Sequence, residues 1–564
     1  MVGSFDTILT EVIPAKRIFC FVFITILLVT SAAGCRRQAT PEVPAQESVS
    51  AEQTPGGEIV LTGDGLIPAA DASDNNRVFY EIFVGSFSDS NGDGIGDLRG
   101  VINRLDYLND GNPDSGLSLG VEGIWLTPVF LSPSYHKYNV TDYYTVDPAF
   151  GTMEDLEALI AACHERGVKL ILDLPVNHTG SQNAWFSSFQ SAHRSGDTAD
   201  PFYDFYSWCY ADDQPGGRAW NWIPDTQEMV ECNFSPDMPE LNFGSDSVRS
   251  ELLNIARFYL EKGVDGFRFD AAKYLYLNDH AANMDFWNWY LRELRNINPG
   301  LYAVAEVWDA DPVTEQYYPA VNCFNFTVSQ AEGTIARAAK GGSVSRYTDY
   351  VENYLRTIRP LRNDAAFVPF IANHDTDRAA GFLPVSSGAM QMAANLYLLS
   401  PGSPFIYYGE ELGMRGTRGG ANTDANRRLA MLWGDGDTVQ NPEGSDYDPS
   451  RQITETVSDQ IRSADSLYTY YKTLLMIRRA HPEIARGEYR SLSFGDTKLG
   501  GFISSWEGSS VCVLHNTTTD PLTINLADAG AAGFTAISAT VGKGSALIDG
   551  STVTLDAQTS VVLK

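Results

Sequence analysis

Charged and polar side chains follow four segments that the sequence predicts as buried strands. The four clusters are residues 173–178 (Asp-Leu-Pro-Val-Asn-His), 266–270 (Gly-Phe-Arg-Phe-Asp), 305–308 (Ala-Glu-Val-Trp) and 373–375 (Asn-His-Asp). Each cluster alone is equally typical of a loop cap or a hydrogen-bonding anchor. In a barrel of parallel strands, however, all the carboxyl ends face one pocket. The four clusters together, in this order, therefore indicate one common site.

The residue types at these strand ends suit the cleavage of a glycosidic bond. Such cleavage needs one carboxyl group that protonates the leaving oxygen and another that bonds to the anomeric carbon or stabilises its charge. Arg268 stands two residues before Asp270, so both side chains share one strand face and the guanidinium can keep Asp270 ionised. Burial and the charge of Asp375 are expected to raise the pKa of Glu306 and keep it protonated. Two histidines suit hydrogen bonds to sugar hydroxyls: His178 and His374.

The elements that must position these groups follow a strand and helix alternation. Apolar strand segments are predicted at residues 78–84, 121–129, 168–174, 266–269, 302–307, 367–371 and 404–408. Between them, apolar residues recur with helical spacing, as in Leu156, Leu159, Ile160 and Cys163. This alternation predicts a (β/α)8 TIM barrel, an α/β fold, although a doubly wound parallel sheet has the same local signature.

Two stretches interrupt this alternation. Residues 179–245 are polar and rich in glycine, proline and tryptophan, far longer than a usual strand-to-helix loop, and predict an inserted domain over the carboxyl ends of the strands. After residue 481 the chain changes to short alternating segments with turn residues, which predicts a C-terminal all-β domain. The predicted catalytic barrel thus comprises residues 77–178 and 246–481, with the insertion at 179–245 and the β domain at 482–564.

The N-terminal residues predict export. Lys16 and Arg17 precede an apolar run at residues 18–29, and small residues then lead to Cys35, so residues 1–35 are typical of a signal peptide. The ending resembles a bacterial lipobox with Ala32 in the usual leucine position, which implies a lipid on Cys35 and anchoring at the cell envelope. The alternative is an ordinary signal peptide with an incidental cysteine. Residues 36–76 are rich in polar residues and proline, and predict a disordered tether.

The overall composition limits the choice of partners. A formal net charge of −31 argues against nucleic acid, and no basic stripe offsets it. A neutral polyhydroxylated substrate is compatible with this charge, and we expect a monomer. Cys209 and Cys232 flank a loop-like stretch, so a disulfide between them is left open.

The sequence from Arg77 to the C-terminus resembles the α-amylase family of glycoside hydrolases, since the four clusters match that family's four best-known motifs in order and spacing. The resemblance implies a barrel with a domain inserted after the third strand and a C-terminal β-sandwich. It further implies Asp270 as the nucleophile, Glu306 as the general acid/base and Asp375 as a third carboxylate on the ring hydroxyls. Implied substrate-binding residues are Tyr138, His178, Arg268, Lys273 and His374.

A fifth stretch, residues 238–243, resembles a motif intermediate between oligo-1,6-glucosidases and neopullulanases, with Glu240 where aspartate is usual. Ala271 and Lys273 favour α-1,4 bonds, and Asn139 replaces an aspartate of exo-acting relatives. The expected activity is a retaining, endo-acting α-glucan hydrolase on starch and maltooligosaccharides. A transglycosylase, an α-glucosidase or neopullulanase, and a non-catalytic binding protein are the alternatives.

A glycine-rich loop places oxygen donors at alternate positions, the spacing by which an EF-hand loop surrounds Ca²⁺. Its predicted ligands are Asp89, Asn91, Asp93, Ile95 and Asp97. Gly100 stands where an EF-hand has its bidentate glutamate, so a simple glycine-rich turn is the alternative. Resemblance to the calcium loops of oligo-1,6-glucosidase-like relatives favours a structural Ca²⁺.

The insertion also contains several tryptophans that suit either stacking on glucose rings or core packing. These residues are Trp185, Trp208, Trp220 and Trp222.

The lipid anchor leads to a first testable prediction. Cys35→Ser removes the thiol that would carry the lipid, so the variant should leave the membrane fraction and be recovered in soluble form. Fractionation followed by mass spectrometry of the mature N-terminus checks this. An unchanged distribution, with no lipid on the wild-type N-terminus, would contradict the anchor.

Overall fold

The predicted barrel is present in the computed structural model, which describes residues 74–419 and 424–564. The predictions for the signal peptide, Cys35 and nearly all of the tether concern residues that lie outside this described part. Within it, no helix combines the length and apolarity needed to cross a membrane.

Seven parallel strands form one sheet in chain order. They are Phe79–Ile82, Gly123–Leu126, Lys169–Leu174, Gly266–Phe269, Tyr302–Ala305, Asn322–Cys323 and Phe405–Tyr407. The first strand also pairs with the last, with Phe79 opposite both Gly123 and Phe405. The sheet therefore curls back toward its own first strand.

The remaining position of the eight-stranded barrel is filled by residues 367–371. This segment makes one parallel bridge, between Phe324 and Val368. Val368 O accepts a hydrogen bond from Asn325 N at 3.0 Å, and Pro369 O accepts one from Phe405 N at 3.0 Å. The predicted strand is thus reduced to a single bridge, in part because Pro369 has no N–H to donate to a ladder. The sequence also missed Asn322–Cys323, which is too short to show a period.

The helices lie between these strands and after them. Their bounds are Leu98–Asn103, Leu105–Leu108, Met153–Glu165, Ala184–Ser195, Asp246–Glu261, His280–Ile297, Asp311–Thr314, Thr334–Ala339, Val344–Ile358, Ala389–Leu398, Val457–Gln460, Leu467–Ala480 and Pro482–Arg486. The helix Met153–Glu165 begins with a capping box between Thr152 and Asp155, and buries the residues whose helical spacing predicted it. Local sequence signals therefore determine this helix.

Alternate residues of the barrel strands fill the interior with a layer of large apolar side chains. This layer consists of Phe79, Trp125, Ile171, Tyr302, Val304, Phe324, Phe326, Val368, Phe370 and Phe405. Because side chains alternate along a strand, the residues two positions further on point the same way and lie above this layer. In the first, second, third and fifth strands these next residues are Glu81, Thr127, Asp173 and Glu306, and in the fourth strand Arg268 pairs with Asp173 at the same level.

The insertion after the third barrel strand contains the helix Ala184–Ser195 and a small antiparallel sheet. The strands Trp208–Tyr210, Trp220–Trp222 and Glu228–Glu231 form this sheet, with the last strand in the centre. A bridge between His178 and Glu240 connects the insertion to the barrel edge, and a bridge between Tyr206 and Leu241 joins two segments of the insertion itself. Cys209 lies opposite Met229, and the thiols of Cys209 and Cys232 are free.

A second hairpin, Phe130–Leu131 with Asp142–Val146, follows the second barrel strand. The C-terminal all-β domain begins with the strand Glu488–Ser493, after the helix Pro482–Arg486. Its other strands are Leu499–Trp506, Ser509–Asn516, Leu522–Asn525, Ile537–Gly542, Ala546–Asp549, Thr552–Leu555 and Thr559–Leu563, arranged in a five-stranded and a three-stranded sheet. Asn395 of the barrel donates to Ser560 of this domain at 2.8 Å.

Candidate functional site

One buried guanidinium joins the carboxylates at the floor of the site. Arg268 is fully buried, with its guanidinium carbon 5.2 Å from the centre of the Trp125 ring in the apolar layer. Its Nη1 donates to Asp173 Oδ1 at 2.9 Å and to Asp270 Oδ1 at 2.6 Å, and its Nη2 donates to Glu306 Oε2 at 2.8 Å. Three strand ends are therefore tied to one cation.

The residue after Asp270 adds a backbone donor to this arrangement. Ala271 has a φ of +50°, a left-handed conformation that is uncommon and strained for a residue other than glycine. Its N–H donates to Glu306 Oε2 at 3.2 Å. Both donors to Glu306 use Oε2, so Oε1 is the oxygen left to carry a proton.

Burial raises the pKa of two carboxyl groups at the floor, those of Glu306 and Asp270. It raises the pKa of Glu306 to about 7, and the charges of Asp270 and Asp375 act in the same direction while Arg268 opposes them. Burial also raises the pKa of Asp270 above its usual range, since the attraction of Arg268 does not fully offset it. The predicted rise at Glu306 agrees with this result, whereas the effect of Arg268 on Asp270 is smaller than the sequence suggested.

A second network surrounds Asp375. His374 donates from Nδ1 to Glu81 Oε1 at 2.5 Å, and its Nε2 lies 3.1 Å from Asp375 Oδ2. Arg428 Nη2 donates to Asp375 Oδ1 at 2.8 Å, and Arg428 Nη1 donates to the Tyr135 hydroxyl at 3.0 Å. Asp375 is therefore held between two basic side chains.

Neighbouring charges determine the protonation states of His374 and Asp375 in this second network. Burial opposes charge on His374, but Asp375 and Glu81 raise the pKa of this imidazole to about 10. Burial favours the protonated form of Asp375, yet the positive charges of His374 and Arg428 hold the pKa of this carboxyl well below its usual range. Asp375 is consequently ionised at neutral pH, and His374 carries a proton.

Tyr138 connects the two networks. Its hydroxyl donates to Asp173 Oδ2 at 2.8 Å and lies 2.7 Å from His374 Nε2. Its ring lies parallel to that of His374, with the ring centres 5.6 Å apart. Because the hydroxyl is engaged on both sides, the tyrosine is held with its ring at the wall of the cavity.

His178 differs from His374 in having no fixed partner. Both ring nitrogens are buried, and neither reaches a hydrogen-bond partner in the described part of the chain. Burial lowers the pKa of His178 to about 4, so the ring is neutral at pH 7. A buried ring with one donor and one acceptor to spare is suited to bind polar groups of a ligand.

These side chains border a cavity with a volume of about 590 Å³. Residues that line it are Tyr135, His136, Tyr138, His178, Phe234, Ser235, Met238, Asp270, Ala271, Tyr274, Glu306, Trp308, Asp375, Asp424 and Arg428. The catalytic candidates Asp270, Glu306 and Asp375 all reach it. Arg268 lies beneath the floor, where it contacts two of these carboxylates.

Three of the five predicted substrate-binding residues do not line the cavity: Arg268, His374 and Lys273. Arg268 and His374 are fully buried. Lys273 does not line the cavity, because its Nζ donates to Trp308 O at 2.6 Å and to Asp309 Oδ2 at 2.8 Å. None of the four tryptophans singled out in the insertion lines the cavity. Phe234 and Trp308 supply the exposed aromatic surface at this site, with 46% and 41% of their surfaces accessible.

Sequence reasoning also missed Arg428 and Tyr135. Arg428 belongs to an irregular stretch near residues 424–427, which gives no periodic signal. Tyr135 precedes the recognised Tyr138 by three residues, but nothing in its spacing marks it as a partner of Arg428. Only proximity in the folded chain identifies these two residues.

The predicted calcium loop has its oxygen atoms turned toward its own backbone. Asp89 accepts hydrogen bonds from the N–H groups of Asn91, Gly92 and Gly94, and Asp97 caps the following helix by accepting from Gly100 N at 2.7 Å. In the described part of the chain, no three His, Cys, Asp or Glu side chains form a group able to hold a metal ion. The donors are nevertheless all oxygen atoms, which suits a hard cation, and Gly92 and Gly94 adopt positive φ values that allow the loop to curl.

An open cavity at the carboxyl ends of a (β/α)8 barrel, with three carboxylates at its floor, has the form of a carbohydrate-cleaving active site. The family profile described as "Alpha amylase, catalytic domain" matches residues 81–487. The chain therefore belongs to the α-amylase family and is a glycoside hydrolase.

Individual relatives agree with this assignment. "Alpha-amylase 3" of Dictyoglomus thermophilum is 35% identical over 446 residues, which cover 78% of this chain and 84% of the relative. The "4-alpha-glucanotransferase" of Thermotoga neapolitana is 33% identical over 61% of this chain and 74% of its own length. Among solved structures, "Eubacterium rectale Amy13B" superposes with a TM-score of 0.79 at 32% identity, covering 87% of this chain and 96% of that one.

Proposed function

We propose that this protein is a retaining α-glucan hydrolase that acts internally on the α-1,4 bonds of starch and maltooligosaccharides. The observation that carries the proposal is the single guanidinium of Arg268, which holds Asp270 and Glu306 side by side at the cavity floor. Two carboxyl groups brought together in this way can act on opposite sides of one acetal.

In the proposed first step, the two carboxyl groups act together. Glu306 donates its proton to the glycosidic oxygen, while Asp270 attacks the anomeric carbon and the bond to the leaving sugar breaks. Arg268 occupies Oδ1 of Asp270, which leaves Oδ2 to form the covalent bond. In the second step, Glu306 takes a proton from water, and the resulting attack on the anomeric carbon releases Asp270 with retained configuration.

The other polar groups would hold and orient the sugar. Asp375 stays ionised between His374 and Arg428, so its oxygens are strong acceptors for ring hydroxyls. The unpaired nitrogens of His178 can bind hydroxyls from a second direction. Tyr138 offers a ring face against which the apolar side of a sugar can stack.

Internal cleavage is supported by the side of the cavity near the insertion. Asn139, which replaces an aspartate of exo-acting relatives, is turned away to donate to the carbonyl of Asp237 at 3.4 Å. An end-binding carboxylate is therefore missing at this position. Transfer to a sugar acceptor is a second candidate, because exposed Phe234 and Trp308 could hold an acceptor ring and one relative is named a glucanotransferase.

The acidity of Glu306 gives a prediction about pH. The acid form is needed for catalysis and is lost as pH rises through about 7, so kcat/KM should fall about tenfold per unit above that value. Glu306→Gln should lower activity by about 10²- to 10⁴-fold and abolish this fall of kcat/KM with rising pH. A substrate with a good leaving group should restore part of the rate, since it needs no protonation. Asp375→Asn serves as the control, because the substrate with a good leaving group should not restore its activity to a comparable extent. A fall of kcat/KM with rising pH that persists in Glu306→Gln would contradict the assignment of Glu306 as the acid.

The nucleophile gives a prediction about stereochemistry. Proton NMR of the first product from an α-glucan should show the α-anomer, because two inversions at the anomeric carbon restore its configuration. Asp270→Asn should abolish activity while the circular dichroism spectrum is unchanged. Release of the β-anomer would refute the covalent role of Asp270. Products longer than maltotriose in a maltotriose digest would instead favour transfer.

We also propose that the loop from Asp89 to Asp97 binds a structural Ca²⁺. Oxygen donors from Asp89, Asn91, Asp93 and Asp97 and the carbonyl of Ile95 would hold it. The loop is joined to a later segment through Thr438, whose hydroxyl donates to Asp89 at 2.6 Å. A cation here would stabilise this junction rather than take part in the reaction.

Chelation tests this proposal through stability. A cation that binds only the folded state contributes about 2.7 kcal/mol at a concentration of 100 times its Kd, so a chelator should lower Tm by several degrees. Asp93→Ala should abolish the sensitivity, whereas Asp114→Ala, at an exposed position outside the loop, should retain it. Equal Tm values for the wild type with chelator and with excess Ca²⁺ would contradict the site.

We further propose that the enzyme is exported and held at the bacterial cell envelope through a lipid on Cys35, as the order of basic, apolar and small residues before that cysteine supports. Fractionation of the Cys35→Ser variant tests this location.

A further inference from the structure

A second cavity lies at the end of the barrel opposite the catalytic site. Its lining includes Arg77 and Val78, which precede the first strand, Glu122, which precedes the second, and Gly167, which lies two residues before the third. It therefore borders the amino ends of three barrel strands, whereas the catalytic cavity lies at the carboxyl ends. Its volume is about 110 Å³, enough for several water molecules or one small ion and far below the 590 Å³ of the catalytic cavity.

Positive charge dominates the lining of this cavity, which we call the arginine cavity. Five of its lining residues are arginines: Arg77, Arg166, Arg478, Arg479 and Arg486. Among the lining residues that the structure describes, the one carboxylate is Glu122. The whole chain has the opposite bias, with 71 acidic against 40 basic residues. A concentration of one sign of charge in a cavity focuses the electric field there and attracts ions of the opposite sign.

Two of the five arginines are paired with carboxylates. Arg486 donates from Nε to Asp74 Oδ2 at 2.8 Å, and Arg166 donates from Nη2 to Asp106 Oδ1 at 2.7 Å. The second pair leaves one donor unused, because Arg166 Nε is buried and has no acceptor in the described part of the chain. A buried N–H without an acceptor has lost its hydrogen bond to water and gained none in return. A ligand that accepts from this nitrogen would recover that loss.

Arg478 and Arg479 donate only to backbone carbonyls within the described residues. The acceptors of Arg478 are Leu398 O, Ser400 O and Gly402 O, and those of Arg479 are Pro113 O and Gly120 O. Carbonyls are neutral, and the carboxyl end of the helix Leu467–Ala480, which contains both arginines, supplies only about half a negative charge. Glu122 attracts Arg478 from a distance, yet burial lowers the pKa of this guanidinium to about 10. The protein therefore compensates the charge of these two arginines only in part.

We propose that the arginine cavity binds a small inorganic oxyanion with the chemistry of phosphate. Guanidinium groups present parallel N–H donors that match the oxygens of such an anion. The anion would offset the charge of Arg478 and Arg479 and give Arg166 Nε an acceptor. A volume of about 110 Å³ suits the free ion better than the phosphate ester of a sugar. Because the cavity lies at the far end of the barrel, the anion would stabilise the fold and take no part in the reaction.

Calorimetric titration tests the binding directly. Sodium phosphate, added at an ionic strength held constant with sodium chloride, should bind the wild type saturably at one site. Arg479→Gln and Arg166→Gln each remove one guanidinium and should raise Kd about tenfold or more, whereas Arg479→Lys keeps the charge and should raise Kd less. Arg292→Gln is the matched control, since Arg292 is exposed on the helix His280–Ile297 and does not line the cavity. This control should leave Kd within about twofold of wild type.

Thermal unfolding gives a second measurement, since an anion that binds only the folded state raises Tm. Phosphate at about ten times its Kd, compared with chloride, should raise the Tm of the wild type and of Arg292→Gln equally, and that of Arg479→Gln less. If Arg479→Gln does not fold, Arg166→Gln decides the question, because its side chain is 23% exposed and tolerates the change more readily.

Several outcomes would overturn the arginine cavity as an anion site. These are the absence of saturable phosphate binding, and an unchanged Kd in both glutamine variants. Glucose 6-phosphate that binds as tightly as inorganic phosphate would refute the assignment to a free ion. Competitive inhibition of glycosidic cleavage by phosphate would place the anion in the catalytic cavity instead. Since the titration and the unfolding need no hydrolysis, their results stand apart from the proposed function.

Discussion

The fully buried charge of Arg268 is the constraint on which the site depends. A guanidinium taken out of water is costly unless carboxylates and hydrogen bonds compensate it, and removal of one partner leaves an uncompensated charge. Asp173, Asp270 and Glu306 supply that compensation from three different strands. The position of each carboxylate is therefore determined by the same cation, and the Trp125 ring beneath it sets its depth in the barrel.

The three carboxyl groups at the cavity have different acidities because their neighbours differ. Glu306 shares the charge of Arg268 with other carboxylates, so burial prevails and its pKa rises to about 7. Asp375 has two basic neighbours, His374 and Arg428, and stays ionised. One small cavity thus contains both a proton donor and a permanent acceptor, because the protein separates the pKa values of similar groups. The protonated His374 also links this pair to Glu81 on the first barrel strand.

The insertion adds a wall to a site that the barrel alone would leave open. Its loop brings Phe234 and Met238 to the cavity, and the bridge between His178 and Glu240 fixes the loop to the barrel edge. Asn177 donates to buried Glu240, which strengthens the same junction. The inserted domain therefore contributes side chains to the cavity wall, while the barrel strands supply the floor.

The sequence by itself determined the elements with strong local signals. Strand alternation placed Asp173, Arg268, Asp270 and Glu306 on inward faces, and capping and periodicity defined helices such as Met153–Glu165, because these depend on neighbours within a few residues. Tertiary structure alone decided the partners. Arg428 meets Asp375 across 53 positions of sequence and Lys273 turns to Asp309, because such pairs depend on where separate loops meet. It also decided which tryptophans of the insertion are core and which are exposed, since burial depends on packing that no local pattern encodes.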